Sequence, residues 1–213
     1  MHKVMEELQA IRVRTTLENL RRNNMEAVYA ETAADALALL KSYLTPGCTV
    51  GVGGSVTLDE IGAIDLLRSG DYDFLDRYAP GLTPVQMKDI FRRSLLSDVY
   101  VMSANAITEN GELYNVDGRA NRVAAMLFGP ESVVVIAGYN KIVKDLAEAD
   151  LRVRTIAAPM NCVRLKRETP CTKIGTCADC RSEGRICADR VVMARQMVKD
   201  RVKVILVREE LGY

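Results

Sequence analysis

The sequence predicts an α/β fold, a largely parallel central sheet flanked by helices, with a cysteine-rich insert near the carboxyl terminus. Three observations carry that reading. Strand-like and helix-like segments alternate along the whole chain, the pattern of repeated βαβ units. The segment SVVVIAG at 132–138 is apolar on both of its alternating faces, as in strands buried within a parallel sheet. A glycine-rich loop, GVGGSVTLDEIG from residue 51, joins an apolar strand to a helix.

Residues 3–24 form a helix with Val4, Leu8 and Ile11 at helical spacing. We read 1–24 as a helical arm lying on the body or on a partner subunit. EAVYA at 26–30 is a short strand, and Thr32 caps a helix through Leu44 whose apolar face holds Ala36, Leu37, Leu40 and Leu44. Pro46-Gly47 turns the chain into the strand CTVGV at 48–52, and the helix after the glycine loop begins near Thr57. Residues 71–78 read as a further strand. Thr83, Pro84 and Gln86 spell a capping box with proline at the first helical position, opening a helix to about Leu96. DVYVMS at 98–103 is the next strand, and Asn110-Gly111 between alternating segments signals a hairpin. A helix over 120–127, the strand at 132–138, a helix from Lys141 to Asp150 and a strand at 152–159 follow. A helix over 188–200 and a strand at 201–209 close the chain.

At 213 residues, one domain spanning 1–213 is the expectation, with 160–188 as its cysteine-rich insert. Basic and acidic residues balance at 29 against 28, which argues against a nucleic-acid partner. No apolar run reaches the length of a membrane span, and the charged opening lacks a signal peptide's apolar centre. A cytoplasmic protein without membrane or nucleic-acid partners is expected. The lone histidine, His2, argues against a catalytic pair built on imidazole. The nine methionines are scattered and read as packing.

Candidate ligand-binding residues lie where strands end. Gly53 and Gly54 let a ligand approach the backbone, while Ser55 and Thr57 offer hydroxyls at a helix start, suited to a phosphate or carboxylate. The motif is neither a dinucleotide fingerprint nor a P-loop, and a ligand-free turn fits it equally. Asn105, Asn115, Asp117, Arg119, Asn121 and Arg122 crowd polar groups beside an apolar strand, part of them lining a cleft. Gly138, Asn140 and Lys141 follow the strand at 132–138, at the carboxyl end where open α/β sheets bind ligands. Lys141 is placed to neutralise a substrate anion, or simply to be solvated. Glu109, on the hairpin turn, is a carboxylate either solvated or poised for chemistry.

Four of six cysteines, Cys171, Cys177, Cys180 and Cys187, fall in PCTKIGTCADCRSEGRIC with spacing C-x5-C-x2-C-x6-C. Four thiolates so spaced suit tetrahedral zinc or an iron–sulfur cluster, and spacing alone does not choose between them. Lys173, Arg181 and Arg185 would offset their charge. Disulfides and free structural thiols are the competing readings, the former opposed by cytosolic reduction. Cys48 reads as core, and Cys162 as a spare or substitute thiol.

VGVGGSVTLDEIG, SANAITENGELYNVDGRANRVAAMLFGP, AGYNKIV and TPCTKIGTCADCRSEGRIC together resemble the lactate-utilisation (LUD) domain family over about residues 10–208. The resemblance implies a fold of the glucosamine-6-phosphate deaminase, ribose-5-phosphate isomerase and CoA-transferase group. It also implies an accessory or subunit role in an L-lactate-oxidising system, alongside iron–sulfur protein subunits, with a homodimer as a further arrangement. Within that fold group, Gly51–Ser55 resembles the ligand loop, and Glu109-Asn110-Gly111 resembles the turn that holds a nucleophilic glutamate in CoA-transferases. A stand-alone CoA-transferase-like or sugar-phosphate enzyme acting between Gly53, Glu109 and Lys141 is the alternative function. A small-carboxylate-binding regulator is the third.

Overall fold

The computed structural model describes His2–Tyr213; Met1 and the side chain of His2, on which the histidine reading falls, lie outside the described residues. Helix α1 (His2–Arg22) leads into strand β1 (Glu26–Ala30), then α2 (Ala33–Ser42) and β2 (Thr49–Val52). Thr32 caps α2 by accepting from the Asp35 amide, and the Asp35 carboxylate accepts from the Thr32 amide. Short helices α3 (Val56–Glu60) and α4 (Ala63–Leu67) precede the two-residue strand β3 (Asp73–Phe74) and α5 (Pro84–Arg93). Next come β4 (Val99–Met102), β5 (Ala106–Thr108), β6 (Leu113–Asp117), α6 (Asn121–Leu127) and β7 (Ser132–Gly138). The rest is β8 (Ile142–Val143), α7 (Leu146–Arg152), α8 (Ala158–Arg164), α9 (Cys171–Ile174), β9 (Asp189–Met193) and β10 (Val202–Val207).

Six strands form a wholly parallel sheet in the order β1-β10-β7-β4-β2-β3. Its central strands are apolar throughout because both faces are covered. Val133 and Val135 pack into one layer with Leu17 and Leu20 of α1 and Met126 of α6. Val134 and Ile136 pack into the opposite layer with Leu40 of α2 and Leu58 of α3. The period-two geometry of a strand thus feeds alternate side chains of one continuous apolar run to two cores.

A second sheet, β8-β5-β6-β9, lies at the carboxyl ends of the first. Its antiparallel β5–β6 pair is the hairpin foreseen at Asn110-Gly111, with Gly111 at φ 79°. A Cβ on Gly111 would lie 2.5 Å from the backbone of Asn19 and Leu20, so the missing side chain lets α1 seat on the turn.

Four assignments made from pattern differ from the structure. Residues 152–159 are not a strand: α7 continues through a π-helical turn over Val153–Ala157 into α8. Val153, Thr155 and Ile156 favour sheets, but Val153 is buried against Ala106 and Tyr114 of the second sheet, and packing overrides propensity. Residues 188–200 are not a helix: β9 pairs antiparallel with β6, Tyr114 opposite Val192, covering what would be an open edge. The stretch from Lys141 becomes helical only at Leu146, after the brief strand β8 pairs with β5. The expected strand at 71–78 shrinks to β3.

Candidate functional site: a cationic cavity at the sheet ends

A cavity of about 260 Å³ opens where the loops after β2 and β4, the end of β6, the start of α6 and helix α8 meet. It lies outside the carboxyl ends of the parallel strands, where this architecture leaves backbone N–H groups and loop side chains unspent. Six basic side chains line it: Arg77, Arg119, Arg122, Lys141, Arg164 and Arg167. A single carboxylate, Asp117, does so too.

That carboxylate is already committed. Arg122 donates through Nε to Asp117 Oδ1 at 2.9 Å, and the Asp117 carboxylate also accepts from the Arg122 and Val123 amides. Further Arg122 donors reach Asn105 Oδ1 and the Val116 carbonyl, both at 2.9 Å. Arg122 is therefore a buried fastener between β6, α6 and the β4 loop. Gly53 makes room for it, since a Cβ there would lie 3.1 Å from the Arg122 side chain. Among the described residues, Arg77, Arg119, Arg164 and Arg167 form no ion pair. Arg77 stacks on Phe91 at 4.7 Å from the ring centre, and Arg164 donates to the Tyr213 hydroxyl at 2.6 Å. Arg77 and Arg164 are thus positioned by neutral partners and keep their charge for something else.

Lys141 is 2 % exposed. Its Nζ donates to Thr57 Oγ1 at 2.9 Å and to Ser103 Oγ at 3.0 Å, and among the described residues it has no carboxylate partner. Burial, reinforced by Arg152 and Arg122, lowers its pKa to about 7. Arg152, itself 7 % exposed, donates to the carbonyls of Asn140 and Asn105 at 3.1 and 2.7 Å and so ties the loops after β7 and β4 together.

The foreseen residues divide accordingly. Gly54, Ser55, Asn105, Asn121, Arg122 and Lys141 line the cavity. Thr57 lies behind it as a partner of Lys141, and Ser55 caps α3 by accepting from the Leu58 amide. Asn140 instead holds the chain's last residues, donating to the Gly212 carbonyl and accepting from the Leu211 amide, both at 3.2 Å. Gly138 leaves space for that crossing. Asn115 sits fully buried under α6, its amide donating to the Met126 sulfur, rather than in the cleft.

Glu109 does not share the cavity with Gly53 and Lys141. It meets Arg12 of α1 at 2.5 Å, while its carbonyl accepts from Asn19 Nδ2. The hairpin turn serves to dock α1. Sequence reasoning passed over Arg77, Ser103, Arg164, Arg167 and Tyr213. The basic run VRLKR at 163–167 was a usable signal for two of them once 158–164 is known to be helical.

Cys171 is buried, whereas Cys177, Cys180 and Cys187 are half-buried. Burial pushes the Cys187 thiol up, and it pushes that of the buried Cys162 up to about 11. The donor chemistry suits a thiophilic ion. The arrangement does not: among the described residues no group of three or more His, Cys, Asp or Glu side chains is placed to share a metal. Arg167, just before the four cysteines, and Ile186, between the last two, nonetheless form part of the cavity wall.

Fold and site together define an α/β protein with a cation-rich ligand cavity at its sheet ends. The LUD domain model matches residues 13–207, and the chain belongs to the LUD domain family. A DUF162 family protein from Deinococcus radiodurans has a similar crystal structure, with a TM-score of 0.54 at 15 % identity over 93 % of this chain and 98 % of that one. At that identity the likeness speaks for the fold. eIF2B delta from Chaetomium thermophilum is more distant, with a TM-score of 0.34 at 16 % identity over 54 % of this chain and 49 % of that one. No curated protein matches the chain.

Proposed function

We propose that the protein binds a small organic anion of the lactate–pyruvate kind in the sheet-end cavity, as a cytoplasmic component of an L-lactate-oxidising system. The observation that carries this reading is the charge imbalance: among the described residues, a buried lysine and four arginines without an ion pair face one cavity whose single carboxylate, Asp117, is spent on Arg122. Burial of Lys141 without an ion-pair partner is costly in the empty protein and is relieved by an anionic guest, which the more exposed arginines would attract. The volume, at the lower limit for ligand pockets, fits a guest of few heavy atoms. Membership of the LUD family and the resemblance to the deaminase, isomerase and CoA-transferase fold group supply the context. Iron–sulfur protein subunits or a second copy of the chain are the partners this role calls for.

Calorimetric titration with lactate, pyruvate and inorganic phosphate tests the proposal. Arg164→Ala removes one charged donor and should weaken carboxylate binding about tenfold, in keeping with the worth of one charge-assisted hydrogen bond. Absence of binding by either carboxylate sinks the reading, and tighter binding of phosphate redirects it to the sugar-phosphate alternative.

A second reading concerns Cys171, Cys177, Cys180 and Cys187 as ligands for zinc or an iron–sulfur cluster. It is favoured by their confinement to one segment that helps wall the cavity, and it requires the 175–186 loop to re-form around the ion. Metal analysis of anaerobically purified protein decides it: visible charge-transfer bands mean a cluster, zinc without colour means a structural site, and neither ends the reading.

A further inference from the structure

Lys141 is more than a resident positive charge. A neutral lysine amine has two hydrogens and one lone pair. Its two hydrogen bonds run to Thr57 Oγ1 and Ser103 Oγ, which uses both hydrogens of the neutral form. Each hydroxyl has an outlet for its own proton: Thr57 donates to the Leu211 carbonyl at 3.2 Å, and Ser103 lies 3.4 Å from the Ala104 carbonyl. Both can therefore accept from the amine at once. Lys141 is at the same time one of the residues that line the cavity. Among the described residues no carboxylate lies within ion-pair distance of Nζ; Glu60 favours the proton from farther off, but burial, Arg152 and Arg122 outweigh it. Desolvation beside other cations is how a lysine is made nucleophilic at neutral pH.

We propose that Lys141 is a nucleophile that condenses with the carbonyl group of a 2-oxo acid seated in the cavity. The guanidiniums of the cavity wall hold the acid's carboxylate, which turns its adjacent carbonyl carbon toward Nζ. The nitrogen lone pair forms the C–N bond and the carbonyl π pair moves to oxygen. Loss of that oxygen with both amine hydrogens, as one water, leaves a C=N double bond. Ser103 and Thr57 stand within reach to relay those protons. No oxidant or further reactant enters. The inference rests on the anion-binding reading above, since the carboxylate must first be held.

Reductive trapping tests it on the full chain. Protein is incubated at pH 7 with pyruvate and sodium cyanoborohydride, digested, and mapped by mass spectrometry; lactate, which has no keto group, is the competitor. The expected result is a reduced adduct on the Lys141 peptide that lactate suppresses. Its yield should exceed that on exposed Lys144 roughly a thousandfold, because an amine titrating near 7 is about half neutral where a solvated lysine is almost wholly protonated. Lys141→Arg should abolish that adduct and leave Lys144 labelling unchanged. Labelling spread evenly over surface lysines, with pyruvate binding intact by calorimetry, overturns the nucleophile and spares the anion site. Neither labelling nor binding overturns both. The mapping of unsubstituted protein decides the matter even where a Lys141 variant fails to fold.

Discussion

Replacing Lys141 by methionine should stabilise the empty protein at neutral pH, and the gain should vanish as the pH rises. Lys141 titrates at about 7 in the folded chain against 10.5 for the free side chain. Each unit of difference is about 1.4 kcal/mol, so its burial costs the fold roughly 5 kcal/mol where both states carry the proton. Below pH 7 that penalty is complete and constant. Between 7 and 10.5 the folded chain sheds the proton while the unfolded chain keeps it, so wild-type stability climbs toward that of the variant. Methionine loses the two hydroxyl contacts, which reduces the net gain to about 2–4 kcal/mol at pH 6–7. Urea unfolding of both proteins between pH 6 and 10 measures the difference. A gap that is independent of pH, or a variant less stable than wild type at pH 6, would refute the claim that Lys141 is buried without a counterion.

Binding of lactate supplies that counterion and draws the proton back onto Lys141, so at pH 8 binding should take up protons. Calorimetry in buffers of different ionisation enthalpy would show it, and zero uptake would place the carboxylate away from Lys141. Gly138→Ala puts a Cβ 2.5 Å from the Glu209 carbonyl oxygen and the Leu211 amide nitrogen, backbone atoms that cannot swing aside. It should cost about 1–3 kcal/mol by thermal unfolding and loosen the crossing of residues 209–212 behind Thr57. Glu109→Gln breaks a half-exposed pair with Arg12, so stability should fall by about 1 kcal/mol or less. Carboxylate binding should be unchanged, and a binding defect would return Glu109 to the site.

Elements whose local preference agrees with their packing were legible in the chain. EAVYA, the Thr32 and Thr83 capping boxes, the Asn110-Gly111 turn and SVVVIAG each carry their own instruction, and the structure places them where those instructions point. The failures fall where tertiary contact decides. VRTIA reads as a strand by its side chains, yet it forms a π turn because α7 and α8 must continue as one rod over the second sheet. DRVVM carries a helical rhythm with its neighbours but completes the ladder beside β6. Missing that rod also hid Arg164, the last residue of α8, and Arg167 just beyond it, both of which line the cavity.

The cavity was half legible for the same reason. Gly54, Ser55 and Lys141 sit at ends of strands that the apolar pattern reveals, so their neighbourhood follows from topology alone. What makes Lys141 unusual does not lie beside it in the chain. Its hydroxyl partners come from Thr57 and Ser103, its repulsive neighbours from Arg122 and Arg152, while Glu60 opposes them without pairing and Asp117 is held by Arg122. The chemistry at this position is thus a property of four chain segments meeting. The exchange of a single partner that brought a carboxylate to Nζ would convert a nucleophile into a salt bridge while leaving the fold intact.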